Sequence, residues 1–334
     1  MTNEDRIGWG IVGLGRIAND EIAPAVTAAP NSTLVGVVSR DATRAAEFAA
    51  RHGAAAAYDD YQALLSDPAV DAVYIATPNA LHAEQVTAAA RAGKHVLCDK
   101  PLATSIGEAE RAIAECQAAG VHLGVTFQVR NYEGMDEIRK MLADGEIGSV
   151  RLAQVELAAG RNLPKGWRTD PTMAGAGAMN NMGVHAYDLL RCLFGAEVTE
   201  VTAVADVEPG WDVDTMVLAL LRFDNGALAY VNANQSVADP QCDLAIYGTE
   251  GRVLGRDVTR PNLQGSISVT GRNGSHEREV SSAGGFIATV ANFAESVLHG
   301  QPPSPSGADA LRSVELTEAM ARSVRERRTI TLGS

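Results

Sequence analysis

The sequence predicts an α/β protein of two domains: an N-terminal doubly wound parallel sheet over residues 1–125, then an α+β domain over 126–334 with a large, open, mainly antiparallel sheet. Three observations predict it. The 334 residues are too many for one ordinary compact domain and too few for three. The first 125 or so alternate short apolar runs with helix-like stretches, the pattern of parallel strands joined by crossover helices. Beyond them come alternating segments separated by Asp224-Asn225-Gly226 and Gly248-Thr249-Glu250-Gly251, which suit antiparallel hairpins.

In the first domain strands are expected at 7–12, 34–38, 72–77, 95–98 and 121–125. Helices rich in Ala, Glu, Arg and Leu are expected at 18–29, 41–52, 61–66, 81–92 and 105–119. Gly53, Gly93 and Gly120 each follow one of these helices, where a left-handed C-terminal cap belongs. Pro24 is a local conflict that splits or kinks the first helix. After residue 125 the pattern predicts a helix at 132–143, a strand at 150–158, a Gly-rich irregular passage up to Gly177 and a helix at 179–194. Strands at 197–207, 215–223, 227–235 and 243–247 follow, then helices at 286–299 and 309–325 around a Pro-rich stretch, with the last helix free to pack back on the first domain.

Composition sets limits on partners. With 46% hydrophobic and 21% charged residues the chain is ordinary globular protein with enough apolar side chains for a sizeable core. A net charge of -13 opposes nucleic acid and anionic membranes, which attract concentrated Lys and Arg. No apolar run approaches the roughly 18 residues of a membrane span, and the polar, acidic start Met1-Thr2-Asn3-Glu4-Asp5 is unlike a signal peptide. Cys98, Cys116, Cys192 and Cys242 are widely spread with no C-x-x-C pair, so a reducing cytoplasm is expected. The open sheet of the second domain needs a cover, and self-association as a homodimer or homotetramer is the simplest one.

The turn Gly13-Leu14-Gly15-Arg16-Ile17-Ala18 follows an apolar strand and opens a helix, the context that gives a G-x-G-x-x-G/A match its meaning. Gly13 allows the tight turn, Gly15 removes a side chain where a pyrophosphate approaches, and Ala18 keeps the helix close to the sheet. The free amides of the helix start, with Arg16 and Ile17, then face the phosphates of a Rossmann-bound nicotinamide dinucleotide. The second strand runs into Ser39-Arg40, 24 residues after Gly15 at Ser39, near where an NAD-specific protein places an acidic residue. Ser39 does not repel a 2′-phosphate and Arg40 pairs with one, so NADP is favoured and NAD is the alternative. Asp41 either accepts from a ribose hydroxyl or caps the next helix.

Three further segments carry a family resemblance: Ala76-Thr77-Pro78-Asn79 with His82; Cys98-Asp99-Lys100-Pro101; and Gly175-Ala176-Gly177 followed by Asn181-Met182-Gly183-Val184-His185 and Asp188. Together they resemble the Gfo/Idh/MocA oxidoreductases, the glucose-fructose oxidoreductase and inositol dehydrogenase family, over essentially the whole chain. The stretches from Ala92 to Cys98, Arg130-Asn131 and Gly166-Trp167-Arg168 resemble its 1,5-anhydrofructose reductase branch. The resemblance implies hydride transfer between nicotinamide and a secondary alcohol or ketone of a sugar, anhydrosugar or cyclitol. It implies cofactor contacts at Thr77, Pro78, Asn79, His82, Asp99, Lys100 and Gln128. It also implies that Lys100 hydrogen-bonds the reacting oxygen while His185 exchanges its proton. An imidazole suits that exchange near neutral pH, and an ammonium stabilises charge developing on the oxygen.

Read singly, each residue has a structural alternative: a Lys-Pro that ends a strand, or a His that packs on a helix. His185 and Asp188, three apart, offer two metal ligands without a third, so no metal is expected. Two positions depart from the family pattern. Asp99 stands where Glu is usual, one methylene shorter. Asn181 stands where Asp is usual, four residues before the His; an amide takes no proton, so it is left to bind a substrate hydroxyl or carbonyl. Gln128, Arg130, Trp167 and Arg168 are further candidate cofactor or substrate contacts, although a surface Trp-Arg pair explains the last two equally. A redox-neutral lyase or glycosidase, with Asp170 as an additional acid or base, and a cofactor-binding protein without chemistry are the competing functions.

Overall fold

A computed structural model describes residues 6–160 and 166–333. The acidic start and the part of the Gly-rich passage at 161–165 lie outside the described residues. The chain forms two compact units, Met1–Thr126 with Phe286–Leu311, and Phe127–Gly285 with Arg312–Ser334. Among the described residues no helix is long and apolar enough to cross a membrane.

The first unit holds six strands, β1 (Ile7–Val12), β2 (Ser32–Val38), β3 (Ala56–Tyr58), β4 (Ala72–Ile75), β5 (His95–Cys98) and β6 (Leu123–Val125), in the order β3-β2-β1-β4-β5-β6. All their pairings are parallel, the doubly wound order that reverses beside β1. Pro24 splits the first crossover into a π-helical turn (Ala18–Ile22) and α1 (Ala23–Ala28). The crossovers continue with α2 (Ala42–His52), α3 (Tyr61–Leu65), α4 (His82–Arg91) and α5 (Ile106–Ala119). Gly53 and Gly120 end α2 and α5 with left-handed φ of 72° and 67°. The short edge strand β3 is absent from the sequence expectation because two alanines and a tyrosine carry no alternation.

Besides the cut near residue 125, the return to the first domain expected of the last helix is made by an earlier segment. Residues 286–311 return to the first unit. There Phe286, Val290, Phe293 and Ala294 share a core with Trp9 and Leu97, and Phe293 stacks at a tilt on Trp9 with centroids 5.6 Å apart. A parallel sheet needs cover on both faces, and this helix contributes to it.

In the second unit nine strands form one sheet: β7 (Val150–Ala158), β8 (Val198–Asp206), β9 (Met216–Phe223), β10 (Leu228–Asn234), β11 (Leu244–Gly248), β12 (Arg252–Arg256), β13 (Gln264–Gly271), β14 (Gly274–Ser281) and β15 (Ile330–Thr331). Their order is β14-β13-β12-β11-β7-β10-β9-β8-β15, antiparallel except where β10 runs parallel to β7. The helices α6 (Glu133–Ala143), α7 (Pro171–Ala174) and α8 (Val184–Phe194) belong to this unit. Met135, Ile138, Tyr187 and Leu190 of α6 and α8 pack into one core with Val155, Val217 and Val231. The two last helices are α9 (Gly285–Leu298) and α10 (Gly307–Glu326). Strands β12 to β15 escape sequence reading; β14, Gly-Ser-His-Glu-Arg-Glu-Val-Ser, is exposed along most of its length and has no apolar face to announce it.

Candidate functional site

Register aligns the carboxyl ends of the parallel strands. Val12 lies opposite Val38 and Ile75, Ile75 opposite Cys98, and Cys98 opposite Val125. The chain therefore leaves five neighbouring strands along one edge, at Gly13, Ser39, Ala76, Asp99 and Thr126. That is the edge on which open α/β sheets bind their ligands.

The two glycines of the turn differ physically. Gly13 has φ +89°, and a Cβ there would lie 2.8 Å from the Ala76 carbonyl carbon and the Thr77 nitrogen, so the fold itself demands glycine. At Gly15 a Cβ would meet nothing within 4 Å. The protein's own packing does not need that glycine; the open space suits an approaching pyrophosphate. Ile17 begins the following turn with no side-chain cap, Arg16 is exposed and Ala18 is fully buried. The residues present thus fit a dinucleotide.

Beside this turn lies a groove of about 320 Å³ lined by Gly15, Arg16, Asn19, Arg44 and Arg51 among others. Arg44, which sequence reading missed, donates from Nη2 to the Leu14 carbonyl at 2.5 Å. Its only sequence signal is a place in the first turn of α2, close after Ser39-Arg40. Asp41 takes the structural one of its two expected roles, accepting the Arg44 N–H on Oδ1 at 3.1 Å as the cap of α2. Ser39 Oγ accepts the Asp41 N–H at 3.2 Å, and Arg40 is exposed.

At the ends of β4 and β5, Thr77 and Pro78 are half-buried and Asn79 is buried. Asp99 donates its N–H to the Ile75 carbonyl at 2.8 Å and accepts the Lys100 N–H on Oδ1 at 2.9 Å. The Asp99 carboxylate thus helps shape the turn that presents Lys100. The Lys100–Pro101 peptide bond is cis. Below lies Tyr74, whose hydroxyl accepts from Thr126 Oγ1 at 3.1 Å; burial, and then the Asp99 charge, push that phenol well above its ordinary range. His82, expected among the cofactor contacts, is fully buried instead. Its Nδ1 lies 2.7 Å from the Pro101 carbonyl and its Nε2 2.9 Å from the Thr77 carbonyl, so both ring nitrogens face protein.

In the second unit, a π-helical turn (Met179–Gly183) runs into α8 and carries Asn181 and His185 four residues apart. The Asn181 amide donates to Gln235 Oε1 at 2.9 Å. His185 is buried, 4% exposed, with its ring edge-on to Phe127 at 6.1 Å between centroids. Gln128 and Arg130 sit buried in the 3-10 turn Gln128–Asn131. Arg130, expected as a ligand contact, grips Asp188 with a bidentate pair, Nε to Oδ2 at 2.6 Å and Nη2 to Oδ1 at 2.5 Å. That pairing accounts for Asp188 as an ion-pair partner. Among the described residues no three His, Cys, Asp or Glu side chains gather as a metal site would need.

Asp214 is the main residue of this unit that sequence reasoning missed. Its Oδ1 accepts the Gly177 N–H at 2.7 Å and its Oδ2 the Met179 N–H at 2.8 Å, while its carbonyl accepts the Ala178 N–H at 2.8 Å. One residue thereby satisfies the amides at the start of the helix that bears Asn181 and His185. A Cβ on Gly177 would lie 1.9 Å from the Asp214 carbonyl oxygen, which is why the Gly175-Ala176-Gly177 segment ends in glycine. Burial pushes the Asp214 carboxyl up, and the two amide bonds pull it partly back.

Nearby in sequence, the Arg168 guanidinium stacks 4.3 Å from the centre of the Trp167 ring. Asp170 caps α7, accepting from the Thr172 N–H at 2.8 Å and Oγ1 at 2.7 Å. Those bonds hold its carboxyl below the ordinary range, the opposite of what a general acid needs. Asp170 is therefore a helix cap.

A sheet of this order, with a glycine turn at its reversal point and open space at Gly15, defines a dinucleotide-binding α/β protein. Among known proteins, residues 7–127 match the model of an oxidoreductase family with an NAD-binding Rossmann fold, and residues 135–254 match the GFO/IDH/MocA C-terminal domain. The chain belongs to the Gfo/Idh/MocA family and is an NAD(P)-dependent oxidoreductase. It is 32% identical over 312 residues to a 1,5-anhydro-D-fructose reductase of Ensifer adhaerens, covering 92% of each chain. An aldose-aldose oxidoreductase of Caulobacter crescentus, crystallised with glycerol, superposes with a TM-score of 0.91 at 29% identity, covering 98% of this chain and 100% of the other. A levoglucosan dehydrogenase in complex with NADH and levoglucosan gives 0.90 at 25% identity, covering 98% and 99%.

Proposed function

We propose that the enzyme prefers NADP and interconverts one secondary alcohol and ketone of a sugar, anhydrosugar or cyclitol. The carrying observation is the edge of the parallel sheet, where a glycine turn with open space at Gly15 stands beside Ser39, Arg40 and Arg44 and shares its row with Lys100. The names of the three relatives, each acting on a carbohydrate or its anhydride, support the substrate class. A nicotinamide held there would supply or accept the hydride. Lys100 donates a hydrogen bond to the oxygen that gains negative charge. His185 takes the hydroxyl proton in oxidation and returns it in reduction. Asn181, its amide turned by Gln235, and the Trp167–Arg168 stack offer hydrogen bonds and an apolar face to the sugar. Gly13, Gly15, Arg16 and Ile17 would hold the pyrophosphate, and Thr77, Pro78, Asn79, Asp99 and Gln128 would be further cofactor contacts.

The test has two arms. Turnover is measured in both directions over a panel of sugars, anhydrosugars and polyols, and NADPH and NADH are titrated against the wild type and Arg40→Ala. The expected result is turnover on at least one panel member, with NADPH bound more tightly and the preference reduced in the variant by about tenfold. Tight cofactor binding without turnover would sink the catalytic reading. Equal affinities would sink the 2′-phosphate reading.

Two companion readings complete the proposal. On the outer face of the second sheet Val204, Leu220 and Leu228 are 63%, 60% and 42% exposed, a patch that favours association into a homodimer or homotetramer; light scattering at the 35.0 kDa of one chain would contradict this. The four cysteines are free, three of them buried, which supports a cytoplasmic location, to be checked by fractionation.

A further inference from the structure

We infer that His82 is a positioning residue that locks the Thr77–Asn79 loop to the Lys100 loop through two carbonyl groups, one on each ring nitrogen. The inference rests on the reading above that these loops serve the cofactor and the reacting oxygen.

His82 opens α4 and is fully buried. Its two acceptors come from different strand ends: Thr77 follows β4, Pro101 follows β5, and the strands pair with Ile75 opposite Cys98. The ring therefore spans two neighbouring loops that the sheet register alone brings side by side. At 2.7 Å to Pro101 and 2.9 Å to Thr77 both contacts are hydrogen bonds in length. A carbonyl only accepts, so both bonds require N–H on both nitrogens, which is the doubly protonated ring; a neutral ring donates once and leaves a lone pair against the other oxygen. Thr77 is held from a second side by the same helix, its Oγ1 donating to Gln85 Oε1 at 2.6 Å, and Tyr61 Oη donates to the Gln85 carbonyl at 2.9 Å. The Pro101 carbonyl lies one residue from Lys100, so a turn released from His82 lets the ammonium wander. With both ring nitrogens turned to protein carbonyls, His82 acts through Thr77 and Lys100.

The two bonds are separable by substitution. The amide nitrogen of Asn occupies the place of Nδ1, and that of Gln the place of Nε2. His82→Asn keeps the Pro101 bond and releases Thr77, so NADPH affinity should fall by about tenfold with kcat nearly unchanged. His82→Gln keeps the Thr77 bond and releases Pro101, so kcat should fall by about tenfold or more while NADPH affinity stays near that of the wild type. Equal losses in both variants, or none in either, would overturn the proposal. Should the variants fail to fold, nitrogen NMR of the wild-type histidines decides: two protonated ring nitrogens at His82 are expected, and one bare nitrogen refutes the double clamp. A wild type without turnover on any sugar or polyol would speak against the functional reading, whereas NADPH affinities and the ring nitrogens judge His82 by themselves.

Discussion

The two units secure their functional segments with opposite chemistry. In the first, loops leave parallel strands at their carboxyl ends, and two of their carbonyls converge on the His82 ring. In the second, a helix start presents amide N–H groups, and two of them converge on the Asp214 carboxylate. The difference follows from the backbone: strand-end loops here offer acceptors and so require a donor, while a helix start offers orphan donors and so requires an acceptor. Each of these polar residues, His82 fully buried and Asp214 half-buried, is the complement of the backbone groups that its fold leaves unsatisfied. Conserving size while changing donor to acceptor should therefore be harmful at both places, for opposite reasons.

The largest expected effects come from the side chains these devices present. Lys100→Met should lower kcat by about 10²–10³-fold, and His185→Asn by about 10²–10⁴-fold, with thermal stability close to the wild type in the first case. Steady-state kinetics beside a melting curve makes the check; wild-type rates in either variant would remove that residue from the chemistry.

Next in size is the cap. Asp214→Ala strips two amides of their acceptor and should cost about 1–3 kcal/mol in urea denaturation. Its pH dependence has a definite sign. Burial raises the folded carboxyl above its ordinary value of 3.8, so the folded state binds the proton more readily than the unfolded chain. That stability contribution is fully present below 3.8 and is lost as pH rises through the raised folded value. The stability of the wild type relative to Asp214→Asn should accordingly grow as pH falls through that window. A difference that shrinks on acidification would mean that the amide bonds outweigh burial.

The smallest effect separates fold from ligand within one turn. Gly15→Ala should leave the melting temperature unchanged, since its Cβ meets no atom within 4 Å, yet weaken NADPH by about tenfold. Gly13→Ala, with φ +89° and contacts at 2.8 Å, should destabilise the protein itself by about 1–3 kcal/mol. Isothermal titration and calorimetry on the pair distinguish the two roles, and a Gly15→Ala protein that binds NADPH like the wild type would remove the pyrophosphate from that space.

Much of this was legible in the chain. The bounds of β1 and β7 follow from apolar runs and alternation. Pro24 announced the split in the first helix, and Gly53 and Gly120 announced caps. Strand β14 was not legible because a solvent-exposed strand needs no hydrophobic face, and the return of residues 286–311 to the first unit was not because a helix carries no label for the sheet it will cover. In the site, Gly13, Gly15 and Lys100 stood out by motif, whereas Arg44 and Asp214 carry no motif at all. Their partners lie 30 and 37 residues away.

The sequence by itself determined the fold class, the place of the glycine turn and the family, because strand periodicity and turn chemistry are properties of a few consecutive residues. It also named His82, Asp41, Asp170 and Arg130 without settling their work. Only the tertiary structure decided that His82 faces two carbonyls, that Asp41 and Asp170 cap helices, that Arg130 holds Asp188 and that Asp214 anchors the helix of His185. Hydrogen bonds are satisfied between groups that strand pairing and packing bring together across many residues, and no local pattern records which donor will meet which acceptor.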